Sequence, residues 1–281
     1  MRKILTCISV FFCVMLMSIS TMAAYTGSLD DNIIWSLNDK GVLTISGTGE
    51  IPDFTNESGG VRSPFYGSST IISVVVGEGI TRIGNTLFYG CTKLNDVTLP
   101  ESLTSIGEAA FYDCRNMKGV TIPEKVTDIG IYAFCKCSEL KTVNIPKGIT
   151  IIGDSTFWGC GKLTEVVIPE GVTRIDNYAF KKCYSAVSGL TSVSLPSTLT
   201  SIGEGAFTGC SVLRDINIPS GVTRIEDEAF SGCYDLEDIT LPQSSTYLGM
   251  MAFESTSIRS VTVPSGVTKL LYSAFRFCEI L

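Results

Sequence analysis

The chain has 281 residues, 44% of them hydrophobic and 17% charged, with 27 glycines, 11 cysteines and no histidine. The missing histidine excludes Ser-His-Asp and Cys-His catalysis, histidine general bases and every histidine-containing metal site. Formal charge is -7, and removing Arg2 and Lys3 with a leader leaves 19 basic against 28 acidic residues, or -9. A chain that acidic, with scattered Lys and Arg, is a poor partner for nucleic acid.

Residues 1 to 24 read as a secretory signal. Arg2-Lys3 form the positive start, Ile4 to Ile19 are apolar apart from Thr6, Ser9 and Ser18, and Thr21-Met22-Ala23-Ala24 offers small residues for cleavage. The alternative is a membrane anchor, which the polar stretch from Tyr25 to Asp31 does not favour. Beyond residue 24 no run approaches the ~20 apolar residues of a span. The expected mature protein is therefore exported, secreted or held at the cell surface, without a membrane span.

Residues 25 to 70 follow no period. Ile33-x-Trp35-x-Leu37, a turn at Asn38 to Gly41, and Leu43-x-Ile45 predict a β-hairpin. Its expected role is to cap the first apolar column of the remaining chain, with Trp35, Phe54, Phe65 and Tyr66 supplying bulk. Gly47 to Gly60 reads as a loop.

From residue 71 the chain repeats itself. Phe88, Phe111, Phe134, Phe157 and Phe180 stand 23 apart; Phe207 follows after 27, Phe230 and Phe253 after 23 each, and Phe275 after 22. A cysteine sits three residues beyond all of these except Phe253, where Thr256 stands instead. One unit reads Leu94-x-x-Val97-x-Leu99-Pro100-x-x-Leu103-Thr104-x-Ile106-Gly107-x-x-Ala110-Phe111-x-x-Cys114. Nine such units cover residues 71 to 281. Val97 and Leu99 share one face of a strand, Pro100 ends it, and Glu108 to Phe111 has room for about one helical turn. A unit this short cannot bury its own apolar face, so it must stack on its neighbours. Nine strands in parallel register would span roughly 40 Å.

The unit resembles the leucine-rich repeats of the BspA-like surface-protein family. The resemblance implies a repeat solenoid with a parallel sheet on one side, short helical turns and loops on the other, and an N-terminal hairpin cap. It also implies a role in adhesion or in binding host or matrix proteins.

Nine mature cysteines in an exported chain raise the question of disulfides. Eight share one repeat slot, where stacked side chains point the same way, so a column of buried thiols is the expectation and bridges the alternative. Cys135-Lys136-Cys137 lacks the further ligands a metal would need. Glu108, Asp154, Asp176, Glu204 and Asp227 recur at or near one turn slot and should line a ridge, whereas a glycosidase needs two carboxylates facing across one bond. No enzyme, cofactor or metal is expected. The four-residue insertion within Tyr184 to Gly189 should project as a loop. Tyr89, Tyr112, Tyr132, Trp158 and Tyr178 occupy turn slots on the other side.

What the repeat leaves over is a strand face. Its candidate binding residues are Asp96, Thr98, Thr121, Thr142, Asn144, Glu165, Val167, Ser192, Ser194, Asp215, Asn217, Asp238 and Thr240. Extended faces of this kind are how solenoids bind protein partners. The function expected is protein binding, with a structural spacer or self-associating module as the rival. Leu281 falls where a tenth strand would begin, so the expectation is either a fragment of a longer surface protein or an edge used for self-association.

Overall fold

A computed structural model describes residues 23–185 and 188–278. The expected leader lies outside the described residues except for Ala23 and Ala24, as does the start of a tenth strand. The described chain winds as a β-solenoid, one coil per repeat, with no helix among the described residues. The first seven repeats each contribute one short strand to each of two parallel ladders, because the apolar pairs at Val97/Leu99 and at Leu103/Ile106 each turn inward on their own side of a proline or glycine bend.

The amino end is built from β1 (Ala23–Ser28), β2 (Ile33–Asn38) and β3 (Val42–Gly47). β1 pairs antiparallel with β2 and β2 with β3, so the expected hairpin is present with one strand more on its outer edge. β4 (Gly49–Glu50) opens the second ladder, and β5 (Ser73–Val76), β6 (Ile80–Ile83) and β7 (Asp96–Thr98) carry both ladders into the repeats. β3 pairs in parallel with β5 and β5 with β7, while β4 pairs in parallel with β6. The first ladder continues through Gly119–Val120, Thr142–Val143, Glu165–Val167, Ser192–Ser194 and Asp215–Ile216. The second continues from Ser105–Ile106 to Tyr247–Leu248. In each, residue i meets its counterpart in the next repeat, as Val166 meets Val193 and Ile175 meets Ile202.

The sequence suggests a helical turn after each Ile-Gly, and the structure replaces it with a third ladder. Ala109, Phe111 and Asp113 donate their backbone N–H groups to Ile131, Ala133 and Cys135 of the next coil, at 2.9, 2.9 and 2.7 Å. A helix would turn those donors along its own axis. The coil avoids this by placing residues such as Ala109 (φ 49°) and Asp113 (φ 62°) in the left-handed region. One helical turn makes too few bonds to offset its nucleation cost, whereas a neighbouring coil offers a carbonyl at every second residue.

Inside, ten phenylalanines from Phe65 to Phe275 form one file, with ring centroids 5.2 to 5.8 Å apart and planes within 22° of parallel. Phe88 through Phe253 are fully buried, each adding about 1.5–3 kcal/mol of apolar burial. The file begins one coil earlier than the period suggests. Phe65 stacks on Phe88, Trp35 stands edge-on to Phe65 at 5.3 Å, and Ile51 is buried within the segment expected to be loop.

Beside the phenylalanines runs the thiol column. All nine described cysteines are unbridged, and eight are buried. In each repeat the column thiol donates to the phenylalanine carbonyl of the coil before it: Cys114 to Phe88 at 3.3 Å, Cys137 to Phe111 at 3.2 Å, Cys160 to Phe134 at 3.3 Å. The slot asks for a small, apolar side chain with one weak donor, which is what cysteine offers. Thr256 meets the same demand by donating to Phe253 in its own coil.

At Gly130 and Gly203 the Ile-Gly glycine is needed for close approach. A Cβ on Gly130 would lie 2.5 Å from the Glu108 nitrogen, and one on Gly203 would lie 2.7 Å from the Asp176 carbonyl carbon.

Candidate functional site

The first ladder presents its alternate side chains outward, because its partners Val74, Val120, Val166 and Val193 are held in the core. Of the candidate residues, Asp96, Thr98, Thr121, Thr142, Asn144, Glu165, Val167, Ser194, Asn217, Asp238 and Thr240 are exposed, and Ser192 is half-buried. Asp215 sits in the same register, its backbone paired with Ser192. Glu165 faces Ser192 and Val167 faces Ser194 on neighbouring strands. The face thus follows the strands rung by rung at ~4.8 Å.

One feature of this face was not visible in the sequence. Asn144 is exposed but committed: its side-chain oxygen accepts from the Ile122 N–H at 2.8 Å, and its amide nitrogen donates to the Ile122 carbonyl at 2.7 Å. It continues the ladder where the strands Gly119–Val120 and Thr142–Val143 end, so it fastens two coils. Val167 is 69% exposed in the middle of the face, an apolar group with no covering side chain. Toward the far end the surface dips into a shallow groove between Arg214, Asn217, Asp235, Asp238 and Thr240, with Arg214 bridging to Asp235 at 3.1 Å. The face at its start is extended by β2 and β3, where Thr44 lies in register with Val75 and Val75 with Thr98.

The turn-side aromatics divide into two groups. Tyr66, Tyr89 and Tyr112 stack at 5.1 and 4.5 Å, with Arg62 over the first ring and Lys136 over the last. Lys181 lies between Tyr178 and Trp158, at 4.4 and 5.9 Å from their ring centres. Stacked rings show their edges to solvent and offer no open face to a ligand.

The acidic ridge is also largely committed to structure. Asp227 accepts from the Met250 N–H at 2.8 Å, an equivalent bond two coils earlier runs from the Glu204 N–H to the Asn177 side chain, and Asp154 accepts from Ser155. Arg174 meets Asp176 at 2.5 Å and Arg224 meets Glu226 at 2.7 Å. The Tyr178 hydroxyl donates to Glu204, and that hydrogen bond pushes the phenol up to about 12. Asp154, Asp176, Glu204 and Asp227 do line one open groove, but as successive rungs. Among the described residues no group of three metal-ligating side chains converges. The buried thiols are held in their neutral form, Cys91 and Cys135 pushed up to about 12 by burial, so they are poor nucleophiles and poor ligands.

The insertion after Cys183 is a small antiparallel ribbon, Tyr184–Ser185 pairing with Ser188–Gly189. Sequence reasoning treated the lysines as scattered. The coil brings Lys118 and Lys141 onto consecutive rungs, a proximity their 23-residue separation already encodes.

No curated protein sequence matches the chain. Among solved structures the chain is similar to a leucine-rich cell surface protein from Faecalibacterium prausnitzii, at 22% identity over 87% of this chain and 96% of that one, with a TM-score of 0.47. It is similar to a leucine-rich repeat protein from Bacteroides ovatus at 22% identity, covering 90% of this chain and 92% of that one, with a TM-score of 0.44. The pneumococcal vaccine antigen PcpA matches at 15% identity over 87% and 83% of the two chains, with a TM-score of 0.45. The model of the BspA-type leucine-rich repeat region matches in six copies over residues 62–187 and 183–281, so the chain belongs to the BspA-type leucine-rich-repeat family.

Proposed function

We propose that this protein is exported by residues 1 to 24 and acts as a protein-binding solenoid at the cell surface, with adhesion to host or matrix proteins as its task. Repeat arrays of this family serve as protein-interaction modules, and the fold is typically non-enzymatic. The observation that carries the reading is the division of labour within each coil. The phenylalanine, thiol and glycine positions are consumed in holding neighbours, while the outward rank Thr98, Thr121, Val167, Ser194, Asn217 and Thr240 stays exposed. Affinity would come from many modest contacts along this rank, with Val167 as its apolar centre.

Immobilised protein should capture a defined partner from matrix or surface extracts, and replacing Thr121, Thr142 and Val167 by Lys should abolish that capture. Capture unchanged by those replacements removes the strand face from the mechanism. A spacer without a ligand would capture nothing from either extract.

A further inference from the structure

Arginine and lysine are used differently on this surface. Seven of the eight described arginines have a carboxylate within 3.9 Å, and the eighth, Arg62, lies over the Tyr66 ring. Among the described lysines only Lys162 has such a partner, Glu139 at 2.8 Å.

The contrast is sharpest along one column beside the strand face. The Lys141 N–H donates to the Lys118 carbonyl at 2.9 Å, and the Lys118 N–H to the Asn95 carbonyl at 3.4 Å, so the two lysines are neighbours on consecutive rungs. Both side chains are exposed. Like charges opposite one another on adjacent strands destabilise the pair. Further along the same column the signs alternate instead: Glu237 and Arg259 sit on consecutive rungs and pair at 2.7 Å.

Lys93, also exposed, joins Lys118 in lining a shallow groove with Ser69, Ile72, Asn95 and Asn116. Ile72 there is 49% exposed, an apolar group without cover. Glu139 lines the groove too but is engaged by Lys162.

These demands describe an occupant. The lysines ask for carboxylates, and Ile72 asks for an apolar side chain. We propose that this groove docks an extended acidic segment of a partner protein, its carboxylates over Lys93, Lys118 and Lys141 and an apolar side chain against Ile72. The proposal rests on the protein-binding reading above and assigns it a second contact surface. The four rungs from Ile72 to Lys141, three steps apart end to end, span about 14 Å, the length of four to five extended residues. A phosphate polymer would answer the lysines but leave the apolar Ile72 without a partner.

The test is fluorescence anisotropy of a labelled Asp/Glu-rich peptide carrying one central leucine, titrated with the full mature chain at low and high salt. The expected result is salt-sensitive binding that is absent for the lysine-rich counterpart peptide. Binding should weaken roughly tenfold in the K93E/K118E/K141E variant, whose folding is checked by its unfolding transition. Binding unchanged in that variant overturns the proposal. Equal competition by inorganic polyphosphate overturns the choice of a peptide. Sedimentation showing a dimer that the triple variant loses overturns it in favour of a second copy of this chain. Extract capture that survives the triple variant, with no peptide binding, defeats this groove and leaves the strand face standing. Absence of both capture and peptide binding from the unmodified chain defeats the protein-binding reading as well.

Discussion

The coil formed by residues 42 to 68 and the coil centred on Phe157 do the same job with different sequences. Both feed the two ladders, both place a phenylalanine in the central file, and both bond to the next coil at the Phe turn. Yet the earlier coil carries no Leu-Pro or Ile-Gly signature, has Ser68 in the cysteine slot, and reaches its length through the stretch from Asp53 to Arg62. What the two share is Phe65-Tyr66-Gly67 against Phe157-Trp158-Gly159, an aromatic pair followed by a glycine with positive φ. A coil of this kind is therefore specified by the few groups that must match its neighbour.

The largest test of that view is removal of the shared ring. Phe157→Ala leaves a cavity between two stacked rings and should cost about 4–5 kcal/mol, splitting the array so that urea unfolding broadens or separates into two steps. Phe65→Ala, bounded by Trp35 on one side and Phe88 on the other, should cost about 3 kcal/mol and leave the main transition sharp. Equal effects on both the midpoint and the steepness would mean the first coil is not an end of the array in any energetic sense.

The thiol column separates the two regions by pH. Burial raises Cys91, Cys114 and Cys160 of the column, so the folded state keeps protons that the unfolded state releases above the ordinary thiol value near 9. The stabilisation is complete below pH 9 and is lost as pH climbs toward the folded values, about 12 for Cys91. Well above pH 9 each of these thiols contributes a loss of about 1.4 kcal/mol per pH unit. With no histidine in the chain, the urea midpoint should be flat from about pH 6 to 8.5 and then fall steeply. Cys160→Ala should remove one proton from that slope; an unchanged slope would show that the thiols already ionise in the folded coil.

Glycine at the second bend distinguishes coils that touch from coils that only neighbour each other. Gly130→Ala drives a Cβ to 2.5 Å from the Glu108 nitrogen and should cost about 1–3 kcal/mol. Gly153→Ala meets nothing closer than the Thr156 hydroxyl at 3.3 Å and should cost under about 1 kcal/mol. Thermal unfolding of the two variants, compared side by side, reads the difference directly.

The repeated interior was legible because identical buried side chains recur at one spacing, and burial is what the 23-residue period records. Phe111, Cys114 and Ile106 announced their columns for that reason. The coil at residues 42 to 68 was missed because only Phe65, Tyr66 and Gly67 keep the period there, too few to stand out among residues chosen for other contacts. The expected helical turns failed for a different reason: local room for a helix says nothing about a neighbour's carbonyls, and those are supplied only once the coils stack. On the strand face the alternation of Val166 and Val167 predicted which side chain is exposed. It could not show that Asn144 would spend its amide on Ile122, since that bond depends on where two strands end.

The smallest effect concerns the residue where the regular coils begin. Thr86 occupies the left-handed region at φ 52°, in the slot that Gly205 fills five coils later. A β-branched residue is strained there, by roughly 1–2 kcal/mol relative to glycine. Its hydroxyl is also buried without a hydrogen-bond partner. Thr86→Gly relieves both costs but adds chain entropy to the unfolded state and removes a buried methyl group, so the net gain should be about 1 kcal/mol. Ala109→Gly, in the same slot one coil later, has no orphaned hydroxyl to remove and should gain about half as much. If both variants gain equally in urea unfolding, the strain is all backbone and the buried hydroxyl of Thr86 costs nothing. If Thr86→Gly loses stability, the hydroxyl has a partner when the chain is in solution, and the boundary between irregular and regular coils is held by a contact at that threonine.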